Sequence, residues 1–375
     1  MILTDKLSNK NQSQLRFTPL CNVCLLRQFP NLLSGSNKQF NQKQIQVIDS
    51  NCFICKGIMT SIHKSMDIVC SSLSEYQFET FVIGTRIDSS IIEREDEIRS
   101  KLKLKGGENI KQNFNRLLSS AVSQKLGKSV NFRDPDIELI LNIHDNGIEV
   151  RSKSLFAFGR YTKLKRGISQ KTSNYNEFNL ISIENILSKK IIEISQANYV
   201  NFTWIGGEDN NSLVSGEGRP FYSEIVNPKN RKLDPKDFLN LDNDFVILNS
   251  FEFLDSKPLT IPSFTVEVKA HIKISPIPSK NSIKKLEDFY NDREVTCVNR
   301  KGNRNNLKKV YSLSVEKIYK SKIVANIHCD GGLTIRNLVE GGGYVSPSIS
   351  DILSGNIKID KKVPFDIINV SLNCS

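Results

Sequence analysis

The chain has 375 residues, a formal net charge of +12 and 38 % apolar residues, enough to bury two or three cores of ordinary domain size. No apolar run approaches the ~20 residues of a membrane helix, and Met1 to Gln14 lacks a signal peptide's apolar centre, so a cytoplasmic protein with no membrane partner is expected. The excess of Lys and Arg favours a polyanionic partner, since each cation set against a phosphate releases counterions.

Basic residues gather at Lys101, Lys103 and Lys105, at Arg160, Lys163, Lys165 and Arg166, at Lys229, Arg231 and Lys232, at Arg300, Lys301 and Arg304, and at Lys308 and Lys309. Such clusters are equally common as plain solvated surface.

Cys21, Cys24, Cys52 and Cys55 read C-x2-C, a gap of 27 residues, then C-x2-C. Two thiolate pairs on tight turns supply the corners of a tetrahedral Zn2+ site. Four thiolates leave no open coordination position, so such a metal holds structure and does no chemistry. Redox-inert thiols or a disulfide are the alternatives, the latter disfavoured in a reducing compartment. Cys70, Cys297, Cys329 and Cys374 have no ligand spacing and read as small apolar fillers.

Phe78 to Ile83 reads as a strand, followed by an acidic helix over Ile91 to Leu102. Ile110, Phe114, Leu117, Leu118, Val122 and Leu126 make one apolar stripe on a helix of about five turns closed by Gly127. The strands IELILNI and GIEVRSKSLFAFGRY follow, with Asn146-Gly147 as a turn signal. Gln170 to Asn176 is polar and aperiodic, which puts the main boundary there. Beyond it strands dominate. In FTVEVKAHIKIS, Val266, Val268, Ala270, Ile272 and Ile274 share one face, and Glu267, Lys269, His271 and Lys273 the other. SKIVANIHCDGGLTIRNLVEGG reads as a strand, a turn at Gly331-Gly332 and a short helix carrying Arg336. SPSISDILSG reads as a capped helix and FDIINVSL as a closing strand.

No G-x-x-x-x-G-K-[ST] phosphate loop, G-x-G-x-x-G fingerprint, H-x-E deaminase motif or G-x-S-x-G elbow occurs. Asp209, in a turn after the strand-like YVNFTWI, is by itself an ordinary turn acid. A basic protein without a cofactor motif also fits chemistry done by a loop carboxylate on a nucleotide.

LFAFGRYTKLKRGISQ, GGEDNNSLVSGEGRPFYSEIVNP, CDGGLTIRNLVEG and SPSISDIL, in that order behind the paired C-x2-C, resemble the archaeal-type tRNA pseudouridine-54/55 synthase family over about residues 20 to 375. The resemblance implies an α+β protein. A zinc-binding region (1–75) and a THUMP-type α/β tRNA-binding domain (76–172) would precede a catalytic domain (173–375) with a mostly antiparallel mixed sheet flanked by helices and loops. It implies isomerisation of uridine in the TΨC arm, at position 54, 55 or both, by a monomer that needs structural Zn2+ and no catalytic cofactor. The implied partner is tRNA, through its TΨC arm and acceptor stem.

Asp209 falls on the family's catalytic Asp and Arg336 on its basic partner; an opposite charge nearby favours the ionised carboxylate a nucleophile requires. Arg219, Gly332 and Leu333 are implied to shape the substrate site, and Arg160, Lys163, Lys165 and Arg166 to form a phosphate track, for which a solvated basic linker is the alternative. Gly207 stands where the family has Arg, Asn211 where it has a second acid, and Leu213 where it has Arg. The family's active-site Tyr is absent, its place taken by His271 or Ile272 according to register. These departures leave a second reading, a non-catalytic tRNA-binding, chaperone-like relative. A THUMP-bearing methyltransferase or thiouridine synthetase would need a donor-binding loop, which the sequence lacks.

Overall fold

The computed structural model describes residues 19–28, 52–104, 107–172, 181–298 and 305–373. Lys105, Arg300, Lys301, Arg304, Cys374, the segment 1–14, residues 29–51 of the excursion between the cysteine pairs and much of the polar stretch 170–176 lie outside the described residues. The chain divides into two units, 1–153 and 154–375.

In the first unit, helix α1 (Asn22–Gln28) carries Cys24, and a single 3-10 turn leads into α2 (Ile62–Leu73). Strand β1 (Thr80–Arg86), α3 (Ser89–Lys101), α4 (Ile110–Leu126), β2 (Ser129–Val130), β3 (Ile137–Asn142) and β4 (Ile148–Ser152) follow. The strands lie in the order β2-β1-β3-β4, with β1 parallel to both neighbours and β4 antiparallel to β3. Helix α4 forms as its stripe requires, with Ile110, Phe114, Leu118 and Val122 buried, facing α2 and β1. The Asn109 side chain caps its first turn, and Gly127, at φ +65°, ends it in the left-handed region.

The second unit is built on an 11-stranded sheet. Its members are β5 (Leu155–Lys163), β6 (Tyr199–Trp204), β7 (Val214–Val226), β8 (Val246–Leu254), β9 (Phe264–Ser275), β10 (Arg293–Val298), β11 (Asn305–Tyr319), β12 (Lys322–Asp330), β13 (Val345–Ser346), β14 (Asn356–Ile359) and β15 (Phe365–Leu372). The main path runs β13-β10-β11-β12-β9-β15-β7-β5-β8, with β14 on β9 and β6 on β7. The β15–β7 contact is parallel and its neighbours are antiparallel, so the sheet is mixed but mostly antiparallel. Helices α5 (Ile183–Ser195), α6 (Lys280–Phe289), α7 (Ile335–Glu340) and α8 (Ile349–Ile352) complete the unit.

Strand β9 bears out the alternation of its sequence, with Val268, Ala270, Ile272 and Ile274 buried and His271 on the opposite face. The division into units falls ahead of the boundary expected at 170–176. GIEVRSKSLFAFGRY is two strands, β4 pairing with β3 in the first unit and β5 pairing with β7 and β8 in the second. The chain crosses between units at Lys153 and Ser154. No glycine or proline marks the crossing, which is why the stretch reads as one strand.

Candidate active site

Asp209 stands on the turn joining β6 to β7. Gly206 opens the turn at φ +83°, and a Cβ there would meet Arg219 Nη2 at 2.5 Å and Phe264 Cζ at 3.0 Å. Only glycine lets that guanidinium pass so close. The Asp209 Oδ1 atom accepts from the Asn211 amide at 2.9 Å, and Oδ2 lies 3.6 Å from Arg336 Nη2. About a third of the Asp209 side chain and half of the Arg336 side chain remain open to solvent. Pairing therefore leaves the carboxylate reachable from outside.

Arg336 is delivered by the turn after β12. Gly331 lies under the Phe264 ring, where a Cβ would fall 2.3 Å from a ring carbon, and Gly332 takes φ +83°. The Gly331 carbonyl accepts from Lys308 Nζ at 2.8 Å, while Asp330 accepts from the Tyr311 hydroxyl and the Lys309 amide. A cleft of about 350 Å3 beside this turn is lined in part by Gly332, Thr334, Asn337 and Tyr344. Leu333 points into the core and Arg219 is buried, so of the three residues expected to shape the site only Gly332 is exposed.

Behind Asp209 lies a charged cluster that the sequence reading treats as a turn acid and a surface track. The Glu208 side chain is fully buried; it accepts from the Tyr161 hydroxyl at 2.9 Å and from Lys163 Nζ at 3.3 Å, with Arg219 Nη1 3.7 Å away. Lys163 Nζ also donates to the carbonyls of Ile168, Asp209 and Asn210 at 2.8, 3.2 and 3.0 Å. Gln170 Nε2 donates to the Tyr161 oxygen at 3.0 Å. Burial pushes the Tyr161 pKa well up, with Glu208 adding to it, so the phenol stays a donor; burial draws the Lys163 pKa down while Glu208 opposes it.

The residues of the expected phosphate track have partners within the protein. Lys163 is buried, Arg160 donates to the carbonyls of Gly218 and Val370, and Arg166 grips Asp366 through two bonds of 2.5 and 2.7 Å while also reaching the Asn211 carbonyl. Only Lys165 has half its side chain exposed, and it sits 4.7 Å over Phe245. Lys163 and Arg166 hold the turn in place, and Arg160 is engaged by carbonyls of β7 and β15. Asp366 also accepts from the Leu213 amide and lies 3.8 Å from His271 Nε2. His271 is thereby linked to the turn through one carboxylate, whereas Ile272 faces the core and cannot meet a nucleoside at the surface. Arg219, 3 % exposed, is likewise a buried support of Glu208. Gly207, by contrast, is exposed, and a Cβ there meets nothing within 4 Å.

The four spaced cysteines converge in the first unit. Their buried sulfurs all lie within 4.8 Å of one another, Cys21 and Cys55 at 3.7 Å. A tetrahedron with metal–sulfur bonds of about 2.3 Å has edges of about 3.8 Å. The site therefore has the composition and spacing to bind a metal ion. The four buried sulfurs are in mutual contact, so thiolates there repel one another unless a cation lies among them. Arg27 Nη2 donates to Cys24 Sγ at 3.4 Å and also pairs with the buried Glu95, an outer layer that orients a ligand.

Among the described residues no helix is long and apolar enough to cross a membrane. A family profile described as the Pus10 THUMP domain, archaeal, matches residues 66–142, and one described as Pus10, C-terminal, matches 156–256. A tRNA pseudouridine synthase Pus10 of Nitrosopumilus maritimus is 33 % identical over 356 residues, 90 % of this chain and 92 % of that protein. Proteins of the same name from Cenarchaeum symbiosum and Pyrococcus furiosus are 29 % and 27 % identical, each covering 89 % of this chain and 86 % and 91 % of their own. With both profiles in order along the chain and such similarity over nearly its whole length, the chain belongs to the Pus10 family of tRNA pseudouridine synthases.

Proposed function

We propose that this protein isomerises uridine to pseudouridine in the TΨC arm of tRNA, at position 54, 55 or both, with the Asp209 carboxylate as the reacting group and Arg336 as its partner. The observation that carries this reading is the ion pair at 3.6 Å between Asp209, on the turn that follows β6, and Arg336, on α7, two side chains that both remain open to solvent. The neighbouring pair of Lys163 with Glu208, by contrast, is shut away from solvent.

The reaction breaks the bond from the sugar C1′ to N1, turns the detached base and joins C5 to C1′. The C5 proton is lost and N1 gains one, so atoms balance with no redox cofactor. The target uridine must leave its stack, at a cost of a few kcal/mol that a loop already partly unstacked lowers. A cleft lined in part by Gly332, Thr334 and Asn337 lies on the segment that carries Arg336 and is open to an extruded base. We further propose that the four cysteines hold a structural Zn2+, and that the protein acts as a cytoplasmic monomer on the TΨC arm and acceptor stem.

Unmodified tRNA incubated with wild type and Asp209→Ala, then mapped for pseudouridine by carbodiimide treatment and reverse transcription, tests the assignment. Product from the wild type alone supports it. Bare Gly207 favours a second reading, a tRNA-binding relative without chemistry, which binding without product from either protein would select. Metal content near one zinc per chain, lost in Cys52→Ser, tests the metal.

A further inference from the structure

We propose that Glu208 and Lys163 form a buried charged clamp that positions Asp209 for reaction, which makes both of them positioning residues for the turn. The inference rests on the reading of Asp209 given above.

The ammonium of Lys163 has three protons and faces four oxygens, those of Glu208 and of the carbonyls of Ile168, Asp209 and Asn210. A neutral amine would turn a lone pair toward one of these acceptors, so the arrangement needs the charged form. Two of the carbonyls belong to consecutive residues, Asp209 and Asn210. Aiming both at one point fixes the peptide between them, and with it the direction in which the Asp209 side chain leaves the backbone. The turn is tied again where the Gly167 and Ile168 amides both donate to the Asn210 carbonyl, at 2.9 and 3.2 Å, and where the Ser212 amide donates to that of Asp209 at 2.9 Å.

A buried ammonium is tolerable only beside an anion. Glu208 is that anion, and it also faces Arg219, whose buried Nη1 has no hydrogen-bond partner. Neutralising Glu208 leaves two buried cations facing each other across the site it vacates. Lys163 is then driven from its carbonyls, and the peptide holding Asp209 loses its anchor. Neighbouring carboxylates thus take opposite tasks: Glu208 spends its charge inward on Lys163, which leaves Asp209 free of that duty and open to the substrate.

The test measures pseudouridine formation and tRNA affinity for wild type, Glu208→Gln, Lys163→Met and the double variant. Misplacement of a reacting group costs rate and not binding, so kcat should fall by about 10- to 100-fold in each single variant. KM and the Kd for tRNA should stay within about twofold of wild type, as expected when ground-state binding is untouched. Removing both charges leaves one uncompensated buried cation, Arg219, where Glu208→Gln leaves two, so the double variant should regain thermal stability over Glu208→Gln. Its kcat should nevertheless stay low, because the carbonyls remain unheld. A double variant that recovers kcat along with stability overturns the proposal, as does a Glu208→Gln protein of full kcat or one whose loss is entirely in Kd. Absence of product from wild type would instead remove the activity itself, a different result from an active wild type indifferent to Glu208.

Discussion

Replacing Glu95 by Ala should remove more stability than any exposed ion pair of this chain can. Glu95 lies on α3 with its side chain 2 % exposed, paired with Arg27, itself 2 % exposed. The Gln28 side chain donates to it at 2.7 Å, and the Ile110 amide, at the start of α4, donates to its second oxygen at 2.9 Å. Truncation strands the Arg27 guanidinium in the interior and orphans the Ile110 amide. Breaking a buried pair from one side costs about 3–5 kcal/mol. Glu149→Ala is the control, since Glu149 meets Arg86 at 2.7 Å with the two side chains 45 % and 58 % exposed, and pairs of that kind contribute about 0–1 kcal/mol. Set against a domain stability of about 5–15 kcal/mol, the first loss is large and the second small. Hydrogen exchange of the α4 amides across a urea series reads the first unit directly. Equal protection in the two variants, to within about 1 kcal/mol, refutes the reasoning.

Gly331→Ala should cost about 1–3 kcal/mol by overpacking, because the new methyl would lie 2.3–2.5 Å from three atoms of the Phe264 ring; the urea midpoint reads this, and kcat should fall as α7 and Arg336 shift. Gly207→Arg should be tolerated to within about 0.5 kcal/mol, since its Cβ meets open space, and should raise the rate of pseudouridine formation on tRNA; an unchanged rate rejects the idea that the missing Arg limits turnover. Burial holds the His271 pKa below its ordinary value of 6.5, with Asp366 opposing. The folded state thus prefers the neutral ring, so its contribution is present above about pH 6.5 and lost as pH falls below that. His271→Gln should flatten the stability profile between about pH 7 and 5, seen as a smaller drop in Tm over that interval.

Elements whose apolar period is local were legible in the sequence. Helix α4 announces itself through Ile110, Phe114, Leu118 and Val122 and closes at Gly127, and β9 through strict alternation from Phe264 to Ser275. The helices 62–73, 183–195 and 280–289 escaped notice, the last although Ile283 and Leu286 alone carry its buried face. In the candidate site, Asp209 and Arg336 could be named because their motifs keep their spacing, but the distance between them is set by strands more than 100 residues apart in the chain. Lys163 was misplaced for a readable reason. Ala157, Gly159, Tyr161 and Lys163 share the inward face of β5, and the period-2 rule puts the lysine there, while the basic composition of KLKR draws attention to charge and away from phase.

The adjacency of Glu208 and Asp209 shows how a turn can sort two like acids. In the turn Glu208 sends its side chain inward, fully buried, while Asp209 leaves about a third of its own open to solvent. An inward carboxylate requires buried cations to meet it. Strand β5 supplies Lys163 and β7 supplies Arg219, each already committed to the sheet by backbone pairing on both flanks or one. The rigidity of the sheet is thus transmitted through two side chains to the peptide bearing Asp209. On the far side Arg336 is set by Gly331 packed on Phe264, which begins β9. Both members of the exposed pair are therefore referred to the same sheet, which is how two half-exposed side chains from remote segments can hold a fixed separation without being buried themselves.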